Sequence, residues 1–350
     1  MKYILKFWLN YGKGWLKTKL TQSNHQDRPR LYRDIGILNP TIGTYNLGDL
    51  IIYQSVYEIL RSIYNEAIFS DFPTQLHTCY DAMALMQEKD LLFVAGTNLL
   101  SSNLEEKHQW KVHRGVKKYL NNRVILMGCG WWQYQGAPNR YTVDIYRNLL
   151  SDNFLHSVRD QYTADKLFDI GFKNVVNTSC PTLWTLTSDK CAKIPQSKAQ
   201  NVITTLTFYK KNPKIDRHML DILSNNYKKV YLWIQGLNDA YYYKEILHQS
   251  DNNIEVLPPT LEAFDSMASE QSIDYIGTRL HAGIRALQHN VRSMIISVDN
   301  RAHELGKDVN LNVVDRNNLE QILTFIENDY VTDIRLPQNN ITNWLSSLKK

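Results

Sequence analysis

Arg279 and His281 stand two positions apart, where the chain turns from a strand into a helix. Ile273, Tyr275 and Ile276 are strand formers. Ile284 and Leu287 follow His281 at helical spacing, and Met294–Val298 returns as a short apolar strand. In a βαβ unit of this kind ligands bind outside the carboxyl ends of the strands, where both residues lie. A guanidinium, an imidazole and the unpaired N–H groups of a helix N-terminus converging there make a site for phosphate or carboxylate. A second reading fits the local pattern equally well: Arg279 pairs with a structural carboxylate and His281 is a satisfied packing residue.

Other polar residues recur at the same topological position. The strand Asp34–Leu38 runs into Gly43-Thr-Tyr-Asn46-Leu-Gly48-Asp49, ahead of a helix with Ile51, Ile52, Val56, Ile59, Leu60 and Ile63 on its apolar positions. Glycines there let backbone approach a ligand, while Asp49 either orients a hydroxyl or caps the helix. Leu91–Ala95 ends in Gly96-Thr97-Asn98, and Val124–Met127 ends in Gly128-Cys-Gly130 and the aromatic run Trp131-Trp132-Gln-Tyr134. Sugars stack on aromatic faces, so that run is a candidate acceptor platform, with buried packing or a subunit contact as the alternative. Arg159-Asp160 closes a further strand, and Tyr209-Lys210-Lys211-Asn-Pro-Lys214 forms a basic turn.

Stepping along the chain, strand and helix patterns alternate, which predicts an α/β fold with doubly wound parallel sheets. Its 350 residues suit two domains of about 150 residues each. We place a basic amphipathic segment and linker at 1–30, an N-terminal domain at 31–187, a C-terminal domain at 200–335 and a tail helix at 336–350. The interdomain linker is expected over 187–200, and a polar turn after Asp299-Asn-Arg-Ala-His-Glu304. Four cysteines, Cys79, Cys129, Cys180 and Cys191, lie far apart with no CxxC, giving neither a zinc nor a disulfide framework and fitting a reducing cytoplasm. No metal cluster stands out. The formal net charge is +5, yet Met1–Arg33 carries eight basic residues against one acidic residue. Confinement to one end argues against a nucleic-acid footprint. Interleaved with Phe7, Trp8 and Trp15, those lysines suit a helix lying on an anionic membrane surface through residues 1–20, or one packed on the body. The start lacks a long apolar core and a small-residue cleavage site, so no signal peptide is expected.

Three of these motifs, in this order, resemble the polysaccharide pyruvyl transferase family from about Ile35 to Lys307. Gly43-Thr-Tyr-Asn46-Leu-Gly48-Asp49 is similar to its G-x-x-N-x-G-D opening, Ser157-Val-Arg159-Asp160 to its S-x-R-D strand end, and Arg279-Leu-His281-Ala to its R-x-H-A site. The resemblance implies two Rossmann-like domains in a GT-B-like arrangement, the N-terminal one on the acceptor side and the C-terminal one on the donor side. It also implies transfer of a pyruvyl group from phosphoenolpyruvate to a pair of sugar hydroxyls in capsule, exopolysaccharide or cell-wall assembly, with no cofactor beyond that donor. The chain departs from the family at Gly96-Thr97-Asn98, at Cys180-Pro181, where the family has Asp-Pro, and at Asp299-Asn-Arg301, where it has Asp-x-Lys.

On this reading Arg279, His281, Lys210, Lys211 and Arg301 hold the donor, with Lys214 as a further candidate. Asn46, Gly48, Asn98, Trp131, Trp132 and Arg159 hold a saccharide, lipid-linked or free. His281 acts as acid and base and Asp49 orients a hydroxyl. The chemistry is expected in the cytoplasm or at the inner face of the membrane. Two alternatives stay open: a GT-B glycosyltransferase using a nucleotide sugar, with Glu262 or Asp265 on the ribose, and a non-catalytic sugar-binding subunit.

Overall fold

The computed structural model describes residues 33–106, 109–247, 251–270 and 272–349. The basic segment expected over 1–30 lies outside the described residues.

Two parallel sheets form, one in each half of the chain. The first comprises β1 (Asp34–Asn39), β2 (Ile68–Pro73), β3 (Leu91–Ala95) and β4 (Val124–Met127), in the order β2-β1-β3-β4. The short strands β5 (His156–Val158) and β6 (Val175–Asn177) pair with each other and extend this sheet through a parallel bridge between Cys129 and Val158. The second sheet runs β12-β11-β10-β7-β8-β9, from β7 (Asn201–Thr204), β8 (Lys229–Trp233), β9 (Ile254–Leu257), β10 (Ile273–Gly277), β11 (Arg292–Ser297) and β12 (Val313–Asp315). The central strands are buried along their whole length, which is why Leu91–Ala95 and Val124–Met127 read as unbroken apolar runs. The architecture is α/β with two Rossmann-like parallel sheets whose halves face each other, the GT-B-like arrangement expected.

At the first strand–helix turns side chains and a glycine set the path of the chain. Asn46 caps the helix Leu47–Ile63 by accepting from the Gly48 N–H, and Ile51, Ile52, Val56 and Leu60 bury its inner face. Gly96 leaves β3 with φ +65°, and a Cβ there would lie 2.5 Å from Ile52 Cγ2. Only glycine gives both that backbone and that contact.

The structure corrects three features of the sequence reading. The segment over 187–200 is no free linker: it carries the short helix Ser188–Cys191, and Cys191 and Ile194 are buried in the same core as Trp233 and Phe264. The edge strand β2 and the helix Arg140–Leu149 went unread, the first because its burial is patchy and the second because polar residues dominate it. In place of the polar turn after Glu304 the helix Asn300–Val309 runs on, capped by Asp299 and held by buried Ala302, Leu305 and Val309. The tail helix, Gln338–Ser347, lies within the 336–350 segment and docks on the N-terminal half, where Trp344 donates to the Leu155 carbonyl.

Candidate functional site

Loops leaving the carboxyl ends of strands in both sheets enclose a cavity of about 610 Å³. Asn46 and Asp49 follow β1, Gln75 follows β2, Asn98 follows β3 and Trp132 follows β4; Tyr209 and Lys210 follow β7, Arg279 follows β10, and Asp299 and Arg301 follow β11. One of the contacts between the halves lies here, where Leu47 N donates to the Gln235 carbonyl at 2.9 Å and Gln235 Nε2 to Asn46 Oδ1 at 2.8 Å.

Two arginines dominate the C-terminal wall. Arg279 binds Asp239 through Nε at 3.0 Å and Nη2 at 2.5 Å and 2.6 Å, and its Nε also reaches the Leu206 carbonyl at 3.1 Å. Arg301 binds Asp299 in the same side-on fashion, with Nε at 3.0 Å and 3.1 Å and Nη2 at 2.5 Å. Each pairing fixes a guanidinium and leaves its Nη1 unbonded and within reach of solvent. The Tyr209 ring stands between them, its centroid 5.0 Å from the Arg279 guanidinium carbon and 5.6 Å from that of Arg301, and its hydroxyl accepts from Arg301 Nη2. Burial alone would raise Asp299, but Arg301 holds its carboxyl below the usual range, so that pair is charged.

On the facing wall Asp49 accepts from Thr44 Oγ1 at 2.7 Å, Gln75 Nε2 at 3.1 Å and Thr97 Oγ1 at 3.2 Å. Burial nevertheless pushes its carboxyl above the usual range, the direction expected of a general base.

Beneath the cavity lies a buried polar layer. Arg159 donates from Nη2 to Asn98 Oδ1 at 2.5 Å and from Nε to Asp160 at 3.3 Å, while its Nη1 is sealed without a partner. A Cβ on Gly130 would sit 2.1 Å from Arg159 Nη2, so this approach needs glycine. His281 is 5 % exposed, with Nε2 at 3.8 Å from Cys180 Sγ. Burial, then Arg159 and Arg301, hold its ring well below the ordinary range. So placed, the imidazole is neutral, a base or neutral donor, which differs from the expectation of a ring that titrates near neutral pH.

Several expected contacts do not reach the cavity. Trp131 is fully buried, edge-on to Tyr146 with its indole N–H on Gln135 at 3.0 Å, so Trp132 is the member of that pair facing the cleft. Arg159 is 1 % exposed and acts through Asn98. Gly48 is buried against Gln235, where a Cβ would fall 2.7 Å from its amide nitrogen; its place is the contact between halves. Lys211 is exposed and paired with Glu245 at 2.6 Å, and Lys214 lies on the exposed side of helix Pro213–Asn226, leaving Lys210 as the lysine of that turn on the cavity. Asp265 is bound to Arg285 and His289, and Glu262 is exposed on the helix Leu261–Ala268, so neither makes a ribose site. Sequence reasoning missed Asp239, Tyr209 and Gln75; all three follow strand ends, the one signal that could have marked them. Among the described residues no group of three His, Cys, Asp or Glu side chains could hold a metal ion, and no helix is long and apolar enough to cross a membrane.

No curated protein matches the chain. Among solved structures it is similar to the S. aureus MnaA–UDP co-structure, at 14 % identity over 85 % of this chain and 89 % of that one, with a TM-score of 0.45. It is likewise similar to the Methanocaldococcus jannaschii UDP-GlcNAc 2-epimerase in complex with UDP-GlcNAc and UDP, at 9 % identity over 87 % and 95 %, with a TM-score of 0.48. A third is the E. coli heptosyltransferase WaaC with ADP-2-deoxy-2-fluoro heptose, at 10 % identity over 83 % and 99 %, with a TM-score of 0.41. The family model described as polysaccharide pyruvyl transferase matches residues 46–300, from the capping Asn46 to the helix start beside Arg301, and on that match the chain belongs to the polysaccharide pyruvyl transferase family.

Proposed function

We propose that the protein transfers a pyruvyl group from phosphoenolpyruvate to two hydroxyls of one sugar, forming a pyruvate ketal and releasing phosphate. The observation that carries this reading is the pair of arginines fixed side-on by Asp239 and Asp299, each with a free Nη1 on one cavity. A three-carbon donor with a phosphate and a carboxylate needs two oriented cations, and preorganised guanidiniums supply them without reordering. Lys210 lines the same wall and adds a third positive group.

Ketal formation needs a proton at the methylene carbon and attack by a sugar hydroxyl at the central carbon. The carbon–oxygen bond to phosphate then breaks as the second hydroxyl attacks, each hydroxyl giving up its proton. Asp49, raised by burial, takes a hydroxyl proton, with Asn46 and Asn98 on the same wall to hold the sugar and Trp132 to stack against it. His281 is neutral until the donor arrives. The charge of phosphoenolpyruvate opposes the repulsion from Arg159 and Arg301, raising the ring's proton affinity and making it the acid for the methylene carbon. Synthesis of capsule, exopolysaccharide or wall polymer is the setting that fits such a product.

The test is incubation with phosphoenolpyruvate and a panel of glycans, following phosphate release and the acceptor mass. We expect phosphate release only with an acceptor, matched by a mass gain of one pyruvyl ketal. Release without a mass gain, or transfer from a nucleotide sugar instead, would sink the reading.

A further inference from the structure

A second cavity of about 460 Å³ adjoins the cleft, and Gln133, Lys210 and Asp299 line both. Its size falls within the range of about 300–1,000 Å³ usual for small-molecule sites.

Its lining is that of a sugar site. Tyr134 is 56 % exposed, yet it is rigid: its ring stands edge-on to Tyr162 at 5.1 Å and its hydroxyl donates to Glu304 at 2.5 Å. An exposed aromatic face held from two sides is a stacking surface for a pyranose. Asn300, at the start of helix Asn300–Val309, is 5 % exposed, and its side-chain oxygen is sealed with no hydrogen-bond partner. A buried amide oxygen left without a partner is destabilising, so an amide retained there calls for a group that a ligand brings. Charge separates sugar from phosphate: the cations Lys210 and Arg316 are balanced by Asp299 and Asp315, with Arg316 already bound to Asp216 at 2.6 Å. A balanced, hydrogen-bonding wall suits a neutral polyol better than a dianion.

We propose that this cavity is a subsite for the sugar next to the one modified, so that the acceptor is a glycan of at least two residues. The inference rests on reading the main cleft as the transfer site. Tyr134 stacks under the second sugar and Asn300 bonds one of its hydroxyls.

The experiment measures binding of glucose, galactose, mannose and N-acetylmannosamine, and of their disaccharides and tetrasaccharides, to the full chain. Each sample is also titrated with phosphoenolpyruvate by thermal shift. At least one disaccharide should bind tenfold or more tightly than its monosaccharide. Tyr134→Ala should erase that difference and Tyr134→Phe keep it. Asn300→Leu should weaken the preference severalfold while the melting temperature holds or rises, an outcome that a purely structural amide would not give. Equal binding of short and long glycans, no binding by any of them, or a length preference intact in Tyr134→Ala overturns the proposal. A length preference without a phosphoenolpyruvate shift supports the subsite and removes the donor assignment alone.

Discussion

The buried partners decide what the arginines can do. Arg279→Ala would strand Asp239, which is 1 % exposed, and breaking a buried pair costs about 3–5 kcal/mol, so this variant should unfold at markedly lower urea. Arg279→Lys keeps a charge beside Asp239 but loses the free Nη1; turnover should fall at least 100-fold with the melting temperature within a few degrees of wild type. Lys211→Ala should leave the KM for phosphoenolpyruvate unchanged, since that side chain points to Glu245 and away from the cavity. Cys180→Asp would put a carboxylate beside His281 Nε2, about where Sγ now lies at 3.8 Å, and should raise the ring's pKa in an NMR titration. At this scale the sequence placed Arg279, His281, Asp49, Asn46 and Asn98 at strand ends from local pattern alone. It could not separate Trp131 from Trp132, or Lys210 from Lys211, because neighbours in a turn point in opposite directions and only packing says which faces the cleft.

The elements show why some of that pattern was readable. Central strands buried on both faces leave an unbroken apolar signature, and the caps Asn46 and Asp160 announce their helices. The helix Asn300–Val309 hid because three buried apolar residues, Ala302, Leu305 and Val309, carry its inner face among polar ones. The tail helix draws its stability from distant contacts that no local pattern reveals: Trp344 is fully buried, edge-on to Trp184 at 5.9 Å. Trp344→Ala should cost about 3–5 kcal/mol in urea unfolding, the range for removing a large buried ring. His156, on β5, accepts from the Leu126 N–H and bonds the Ser151 carbonyl, and burial holds its ring down at about 4. Above the unfolded value of about 6.5 both states are neutral; below it the unfolded chain takes up a proton that the folded chain refuses. Stability should therefore fall by about 2 kcal/mol between pH 7.5 and pH 5 from this ring alone, and His156→Gln should reduce that loss.

For the whole molecule, two sheets present their carboxyl ends to one cavity, and the chain ties the halves together with bonds that repeated strand–helix reading cannot foresee. Asp308 accepts from the Gln161 N–H at 2.7 Å and from Asn177 Nδ2 at 2.9 Å, and helix Gln338–Ser347 returns the C-terminus to the first half. The class, sheet direction and cleft follow from the order of patterns, whereas which loops touch across it depends on contacts between residues more than 100 positions apart. The measurement that bears most directly on the account is a crystal structure of the protein soaked with phosphoenolpyruvate. We expect its phosphate and carboxylate oxygens on Nη1 of Arg279 and Nη1 of Arg301, with the methylene carbon turned toward His281. Phosphoenolpyruvate bound elsewhere, or a cleft whose arginines contact only their aspartates at saturating ligand, would contradict it.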